Sequence, residues 1–169
     1  MKQVAIALTV LLLTCFVQES RAAGLVWQTS KQAALQLAVQ QQKKVLLVVG
    51  RDTCQNTKYM RFTVLESVFP FPPVKELVEQ HYIAWYANMD HSTEWQMYAA
   101  GLGAFNLPII CVIDPANSGT YLDRSTDVQS ADKVYARLQA FTKSKSSAPP
   151  PVPPANSPQF LTTPSLLKK

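Results

Sequence analysis

The chain has 169 residues and a formal net charge of +5, from 16 Lys and Arg against 11 Asp and Glu. Four lysines lie beyond position 142 with no acidic residue beside them, whereas positions 23–142 carry ten basic and ten acidic side chains and are neutral. Because this neutral part carries no basic stripe interleaved with aromatic residues, the sequence gives little support to a nucleic-acid-binding function.

The N-terminus has the pattern of a cleaved secretory signal. Lys2 is followed by an apolar run of about 14 residues and then by small residues up to Ala22. The run is shorter than the roughly 20 residues that a membrane-spanning helix needs. An uncleaved anchor and a lipoprotein site at Cys15 are the alternatives, and Thr14 suits the second of them poorly. We therefore expect residues 1–22 to be removed and the mature protein to be periplasmic or secreted, without membrane association.

Hydrophobic periodicity predicts a single domain over positions 23–142 in which helices and strands alternate. The predicted elements, in chain order, are a helix at 29–44, a strand at 44–50, a helix at 54–67, a short helix at 74–80, a strand at 81–90, a helix at 92–103, a hairpin at 105–123 and a helix at 130–141. A parallel β-α-β half followed by an antiparallel hairpin and a last helix is typical of an α/β fold, a mixed β-sheet flanked by helices.

Local signals refine these elements. Residues 54–67 are predicted to place Tyr59, Phe62 and Leu65 on one side of their helix, and the prolines of FPFPP are predicted to end it. The helix at 92–103 is predicted to be capped by Ser92 or Thr93 and to stop near its glycines.

The segment 143–169 is rich in Pro, Ser and Lys and contains seven of the twelve prolines of the chain. Such a composition cannot bury enough apolar surface to offset the entropy lost on ordering, so we predict a disordered tail. With one domain and no internal repeat, a monomer is expected.

Two features distinguish this domain from a generic α/β protein. Cys54 follows a buried strand and precedes a helix, so its thiolate would face the positive end of the helix dipole and unpaired N–H groups, which lower a thiol pKa. Pro108 follows Leu107 at the start of the apolar run PIICVID, a position where a cis peptide bond is expected.

These residues resemble the thioredoxin-like superfamily, and in particular its secreted branch. The resemblance runs from Trp27 to about Phe141, through ALQLAVQQQKKVLLVVGRDTCQNTKYM and then YAAGLGAFNLPIICVIDP. Its most specific part is the pattern Cys-x-x-(Cys/Ser/Thr)-Lys-x-Met at positions 54–60, combined with the Leu-Pro pair at 107–108. The resemblance implies a thioredoxin-like mixed sheet and no cofactor.

The resemblance also implies roles for four residues. Cys54 would be the nucleophilic cysteine, and Thr57 would occupy the position of the resolving cysteine. Leu107 and Pro108 would form the cis-proline loop, which lies against that cysteine and pairs with the substrate backbone.

The sequence departs from the family pattern at three positions. Thr53 stands where a typical member has Trp, and Val48 stands near the position of the buried acid that assists proton transfer. Thr57 carries no thiol, so it cannot resolve a mixed disulfide. A single-cysteine site is a poor net oxidant or reductant, but it is suited to isomerising disulfides or to holding a client covalently.

We therefore expect thiol–disulfide exchange or isomerisation on other exported proteins, with these clients and a thiol reductant as partners. The alternative is a redox-inactive module that binds a partner protein through the Pro108 loop and the aromatic surface.

The remaining candidate residues are predicted to be structural. Cys111 lies within an apolar strand, where a buried thiol acts as a small hydrophobic residue and is unsuited to pairing with Cys54. His81 is predicted at the entrance of a strand and His91 in the first turn of a surface helix. Because the Cys-x-x-x-Cys pair of copper-binding relatives is missing, we expect no metal site.

Overall fold

The computed structural model of the protein describes residues 24–67 and 73–142. Four strands form one sheet in the order β2-β1-β3-β4: β1 Lys44–Gly50, β2 Tyr82–Asn88, β3 Ile109–Ile113 and β4 Asp123–Thr126. β1 runs parallel to β2 and antiparallel to β3, and β3 is antiparallel to β4. The predicted mixed sheet is therefore confirmed. The predicted signal peptide, the tail and most of FPFPP lie outside the described residues.

Helices cover both faces of this sheet. They are α1 Lys31–Gln40, α2 Gln55–Tyr59, α3 Val74–His81, α4 Gln96–Ala99 and α5 Ala131–Gln139. A π-helical segment, Met60–Val64, continues α2 directly. Within the described ranges, every helix is too short or too polar to cross a lipid bilayer.

Alternating side chains of the strands build two separate cores. On β1, Leu46 and Val48 face the core that α2, α3 and α5 cover, whereas Val45, Leu47 and Val49 face the core that α1 and α4 cover. All seven residues of β1 are buried. A strand covered on both faces reads as a continuous apolar run, which is why KVLLVVG carries no polar alternation.

The helix after Cys54 differs from its prediction in which face it buries. Tyr59 and Phe62 are 48% and 56% exposed, whereas Leu65 is fully buried. The inward positions are instead Thr57, Met60, Val64 and Leu65. The physical reason is that Thr57 packs on Gly50 of β1, so the inward positions run through Thr57, Met60 and Val64 at regular helical spacing. The π-helical turn accounts only for Leu65, whose N–H donates to the Met60 carbonyl five residues earlier.

The helix predicted at 92–103 is also shorter than expected. Only Gln96–Ala99 is helical, and the predicted cap is wrong: the Ser92 hydroxyl accepts a hydrogen bond from the Glu94 N–H in the turn before the helix, at 3.1 Å. The predicted stop is confirmed, since Gly101 and Gly103 adopt positive φ angles of 78° and 64°. These left-handed conformations are readily accessible to glycine.

The predicted hairpin is present, but its second strand starts later than the sequence indicates. A 3₁₀ turn at Pro115–Asn117 follows β3, and the side chain of Asp114 accepts the Ala116 N–H at 3.0 Å. The chain then extends through a further turn before β4 begins at Asp123. The last helix starts after Ser130, as predicted.

Candidate thiol site

Cys54 lies at the N-cap position of α2, four residues after the end of β1. Its backbone is extended, with φ −82° and ψ 119°, and its side chain is half-buried. The Cys54 N–H donates to the Arg51 carbonyl at 3.0 Å, and the Cys54 carbonyl accepts the Lys58 N–H at 3.1 Å. The sulfur therefore lies at the end of the helix where backbone N–H groups lack intrahelical acceptors.

The surroundings of the sulfur favour the thiolate. Burial raises the pKa of the Cys54 thiol, but hydrogen bonding from the Thr57 hydroxyl and from the N–H groups of Thr57 and Asn56, together with the Arg51 charge, outweighs it. The net effect is a pKa below the ordinary value of 9.0. A larger thiolate fraction at neutral pH makes a cysteine more reactive toward disulfides.

Thr57 is enclosed by the site. Its side chain is only 1% exposed and packs directly on the backbone of Gly50, where an added Cβ would lie 2.3 Å from Thr57 Cγ2. Among the described residues, the buried Thr57 hydroxyl oxygen forms no hydrogen bond. Its proton is therefore available to the sulfur when the thiolate forms.

The loop before β3 lies beside these residues. The Leu107–Pro108 peptide bond is cis, as predicted, and Pro108 immediately precedes Ile109, which pairs with Val49 on β1. Pro108 consequently lies next to Gly50, the residue on which Thr57 packs. Sheet register thus brings Cys54, Thr57 and the cis-proline loop to one edge of the sheet.

Asp127 supports this loop from the end of β4. Its N–H donates to the Pro108 carbonyl at 3.0 Å, and its carboxylate accepts the Asn106 side-chain amide at 3.1 Å. Asp127 has a φ of 70°, which is uncommon for a residue with a side chain. These contacts hold the loop that contains the Leu107–Pro108 bond.

The position predicted to lack a proton acceptor is apolar in the fold. Val48 is fully buried in the core that also contains Met60 and Val64. Thr53, at the position where the resemblance predicts Trp, is exposed. The groups that favour the Cys54 thiolate are therefore the hydrogen-bond donors and the charge of Arg51 close to it in the chain.

Sequence reasoning missed a polar cluster directly before Cys54. The Asp52 carboxylate accepts hydrogen bonds from the Tyr86 hydroxyl at 2.9 Å and from the Asn88 amide at 2.8 Å. Arg61 lies 3.7 Å from the same carboxylate, and its guanidinium stacks 3.6 Å from the centre of the Tyr86 ring. The available signal was topological, because the carboxyl ends of parallel strands meet at one sheet edge.

The remaining candidates have structural positions, as predicted. Cys111 is fully buried, pairs with Leu47 in the sheet, and forms no disulfide with Cys54. Burial raises the pKa of the Cys111 thiol to about 12. His81 ends α3 directly before β2, at the predicted strand entrance, whereas the predicted helical position of His91 is wrong, because His91 lies in the turn before α4. Over 24–67 and 73–142, no group of three His, Cys, Asp or Glu side chains could hold a metal ion.

Comparison with known proteins agrees with this geometry at the level of the fold. No family model and no curated protein sequence matches the chain. The structure is similar to a thioredoxin from Thermus thermophilus, with a TM-score of 0.56 and 18% identity over 70% of this chain and 87% of that one. It is also similar to a poplar thioredoxin h, with a TM-score of 0.51 and 16% identity over 72% of this chain and 99% of that one. The chain therefore has a thioredoxin-like fold.

Proposed function

We propose that this protein is an exported thiol–disulfide exchange protein that acts through one cysteine, Cys54. The observation that carries the proposal is the position of Cys54: it begins α2 with a lowered pKa, and register places it at the same sheet edge as the cis-proline loop. A thiol whose only role is packing would need neither exposure to solvent nor donors directed at its sulfur.

The chemistry needs no cofactor. The Cys54 thiolate attacks one sulfur of a client disulfide; a Cys54–client disulfide forms, the client S–S bond breaks, and the other client sulfur leaves as a thiolate. A different client thiolate then attacks the client sulfur of this adduct. A new client disulfide forms and Cys54 leaves as the thiolate, so the exchange rearranges client disulfides without net oxidation or reduction.

Thr57 is the reason to favour rearrangement over net reduction. A second thiol at this position would expel the client quickly because it attacks intramolecularly. Thr57 instead donates to the Cys54 thiolate and leaves the adduct to be resolved by a client thiol or by an external thiol reductant. The adduct is therefore expected to be long-lived.

The N-terminal sequence supports the proposed location. Residues 1–22 have the composition of a secretory signal, and the clients would be other exported proteins with disulfides. This places the proposed activity in the periplasm or outside the cell.

The test is recovery of activity by ribonuclease with scrambled disulfides, in a buffer with a small amount of glutathione. The protein should accelerate recovery, and Cys54→Ser should abolish the acceleration. Cys111→Ala is the matched control, because it removes the buried thiol and should retain the acceleration. Equal acceleration by the wild type and Cys54→Ser would contradict the proposal.

One observation favours a second function, that of a redox-inactive module that binds a partner protein. Tyr59 and Phe62 lie on the segment after Cys54 and expose about half of their surfaces, 48% and 56%. Exposed aromatic residues are common in protein interfaces. On this alternative, Cys54→Ser would leave client binding unchanged, whereas Tyr59→Ala with Phe62→Ala would weaken it.

A further inference from the structure

The segment Arg51–Thr53 connects β1 to the reactive cysteine and is exposed along its length. An exposed connection of this kind is free to move unless side chains fasten it. The Asp52 side chain is 64% exposed, yet its two oxygens accept separate hydrogen bonds from Tyr86 and Asn88 on β2. Asp52 thus ties the segment before Cys54 to the neighbouring strand.

The groups that hold Asp52 are themselves rigid. Tyr86 lies on β2 and is only 7% exposed. Burial, followed by its hydrogen bond to Asp52, raises the pKa of its hydroxyl above the ordinary value of 10.0. Its hydroxyl therefore remains a donor throughout the physiological pH range. Arg61, whose side chain is 13% exposed, is fixed between the rings of Trp27, Phe62 and Tyr86.

Arg61 adds a tie from the helix side. It follows Cys54 on the π-helical continuation of α2, and its ion pair with Asp52 spans the segment and the helix that Cys54 joins. Asp52 therefore contacts β2, through Tyr86 and Asn88, and the π-helical continuation of α2, through Arg61. The position of the Cys54 sulfur depends on how these two elements are placed relative to each other.

We infer that Asp52 is a positioning residue whose carboxylate fastens the segment before Cys54 to β2 and to α2, and so holds the sulfur against the first N–H groups of α2. The inference deepens the proposed function and rests on it, since a positioned sulfur matters only if Cys54 reacts.

Charge alone would have the opposite effect, which makes the inference testable. A carboxylate two residues before a thiolate disfavours the thiolate by repulsion, so removing its charge should increase thiolate reactivity. Removing its positioning role should decrease reactivity, because the N–H groups of Asn56 and Thr57 would no longer be aligned with the sulfur.

The charged and titratable groups around the site are those of the segment, of α2 and its continuation, of β2 and the turn after it, and of the loop supporting Pro108. They are Arg51, Asp52, Lys58, Arg61, Tyr86, Asp90, His91 and Asp127. The Arg51 charge contributes to lowering the pKa of the Cys54 thiol, after the hydrogen bonds from Thr57 and Asn56.

The experiment measures the alkylation rate of Cys54 by iodoacetamide against pH in the intact protein, with the modified peptide identified by mass. Asp52→Ala should slow alkylation at pH 7 about fivefold, as expected from the loss of one hydrogen bond, and leave the rate at high pH unchanged. Asp52→Asn should alkylate faster than Asp52→Ala, since its side-chain oxygen still accepts from Tyr86, although it loses the ion pair with Arg61 and the hydrogen bond from Asn88.

Asp90→Ala is the matched control. It removes an ion pair with Arg51 on the same segment, 3.4 Å long and about half exposed at both ends, and such pairs contribute little. Its pH profile should overlay that of the wild type.

Three outcomes overturn the inference. If Asp52→Ala alkylates as fast as or faster than the wild type at pH 7, the carboxylate acts by charge or not at all. If Asp52→Asn is as slow as Asp52→Ala, the hydrogen bond from Tyr86 does not position the sulfur and the tie to β2 fails. If the wild type already has the profile of an unfolded cysteine peptide, the proposed function fails and the inference with it.

Discussion

Replacing Gly50 with alanine should displace Thr57 and so disturb the hydrogen bonding around Cys54. An added Cβ would lie 2.3 Å from Thr57 Cγ2, 2.4 Å from its hydroxyl oxygen and 2.9 Å from its Cβ. Real Cβ atoms do not approach other atoms this closely, so either Thr57 or the strand end must move. Thr57 belongs to the first turn of α2, and its displacement would carry the N–H donors away from Cys54.

The magnitude follows from two opposing effects. Overpacking a filled site typically lowers the free energy of unfolding by 1–3 kcal/mol, whereas alanine in place of glycine raises it by about 0.4–1 kcal/mol through the unfolded chain. Gly50 lies outside the left-handed region, so the second effect applies without backbone strain. We expect a net loss of about 1–2 kcal/mol.

Urea unfolding of four variants measures this effect and its cause. Thr57→Ala removes two of the three clashing atoms, so Gly50→Ala should cost less in that background, with a coupling of about 1 kcal/mol. Gly119→Ala is the matched control, because its added Cβ meets no atom within 4 Å, so only the effect on the unfolded chain remains and stability should rise by up to about 1 kcal/mol. Strict additivity of Gly50→Ala and Thr57→Ala would refute the proposed contact.

Three further predictions concern the thiols and the core. In the folded protein at pH 7, iodoacetamide should modify Cys54 at least tenfold faster than Cys111, because burial raises the pKa of the Cys111 thiol to about 12. Peptide mass analysis after quenching measures both rates, and faster modification of Cys111 would show that the site is misassigned. Thr57→Cys should convert the protein, which is expected to stop at the mixed disulfide, into a reductase of insulin disulfides. Turnover should be modest because Val48 supplies no proton acceptor, and adducts that form without turnover would argue for the partner-binding function. Leu65→Ala should lower the free energy of unfolding by about 2–5 kcal/mol in urea titrations, and a loss below about 1 kcal/mol would show that this side chain is not packed in the core.

The elements with a continuous or strongly periodic apolar pattern could be predicted from the sequence. KVLLVVG was predicted as a strand buried on both faces, and the structure buries all seven of its residues. The fold class, the parallel pairing of β1 with β2 and the cis bond at Pro108 are also confirmed. Each depends on local composition or on a short motif.

The face of the helix after Cys54 could not be predicted, because it depends on the packing of Thr57 on Gly50, a tertiary contact that hydrophobic periodicity does not show. Exposed Phe62 and buried Thr57 reverse what hydrophobicity alone would assign. The Asp52 cluster could not be predicted for another reason. Asn88 is 36 residues from Asp52, and only the register of two parallel strands brings the two side chains together.

The most direct test of the central claim is whether Cys54 forms and holds a mixed disulfide. The folded protein is incubated with a large excess of oxidised glutathione at pH 7, and intact mass and peptide mass are followed with time. We predict one glutathione per protein, attached at Cys54, which forms faster than on the unfolded chain and remains until a thiol is added. An adduct that forms no faster than on the unfolded chain, or that forms first at Cys111, would contradict the account.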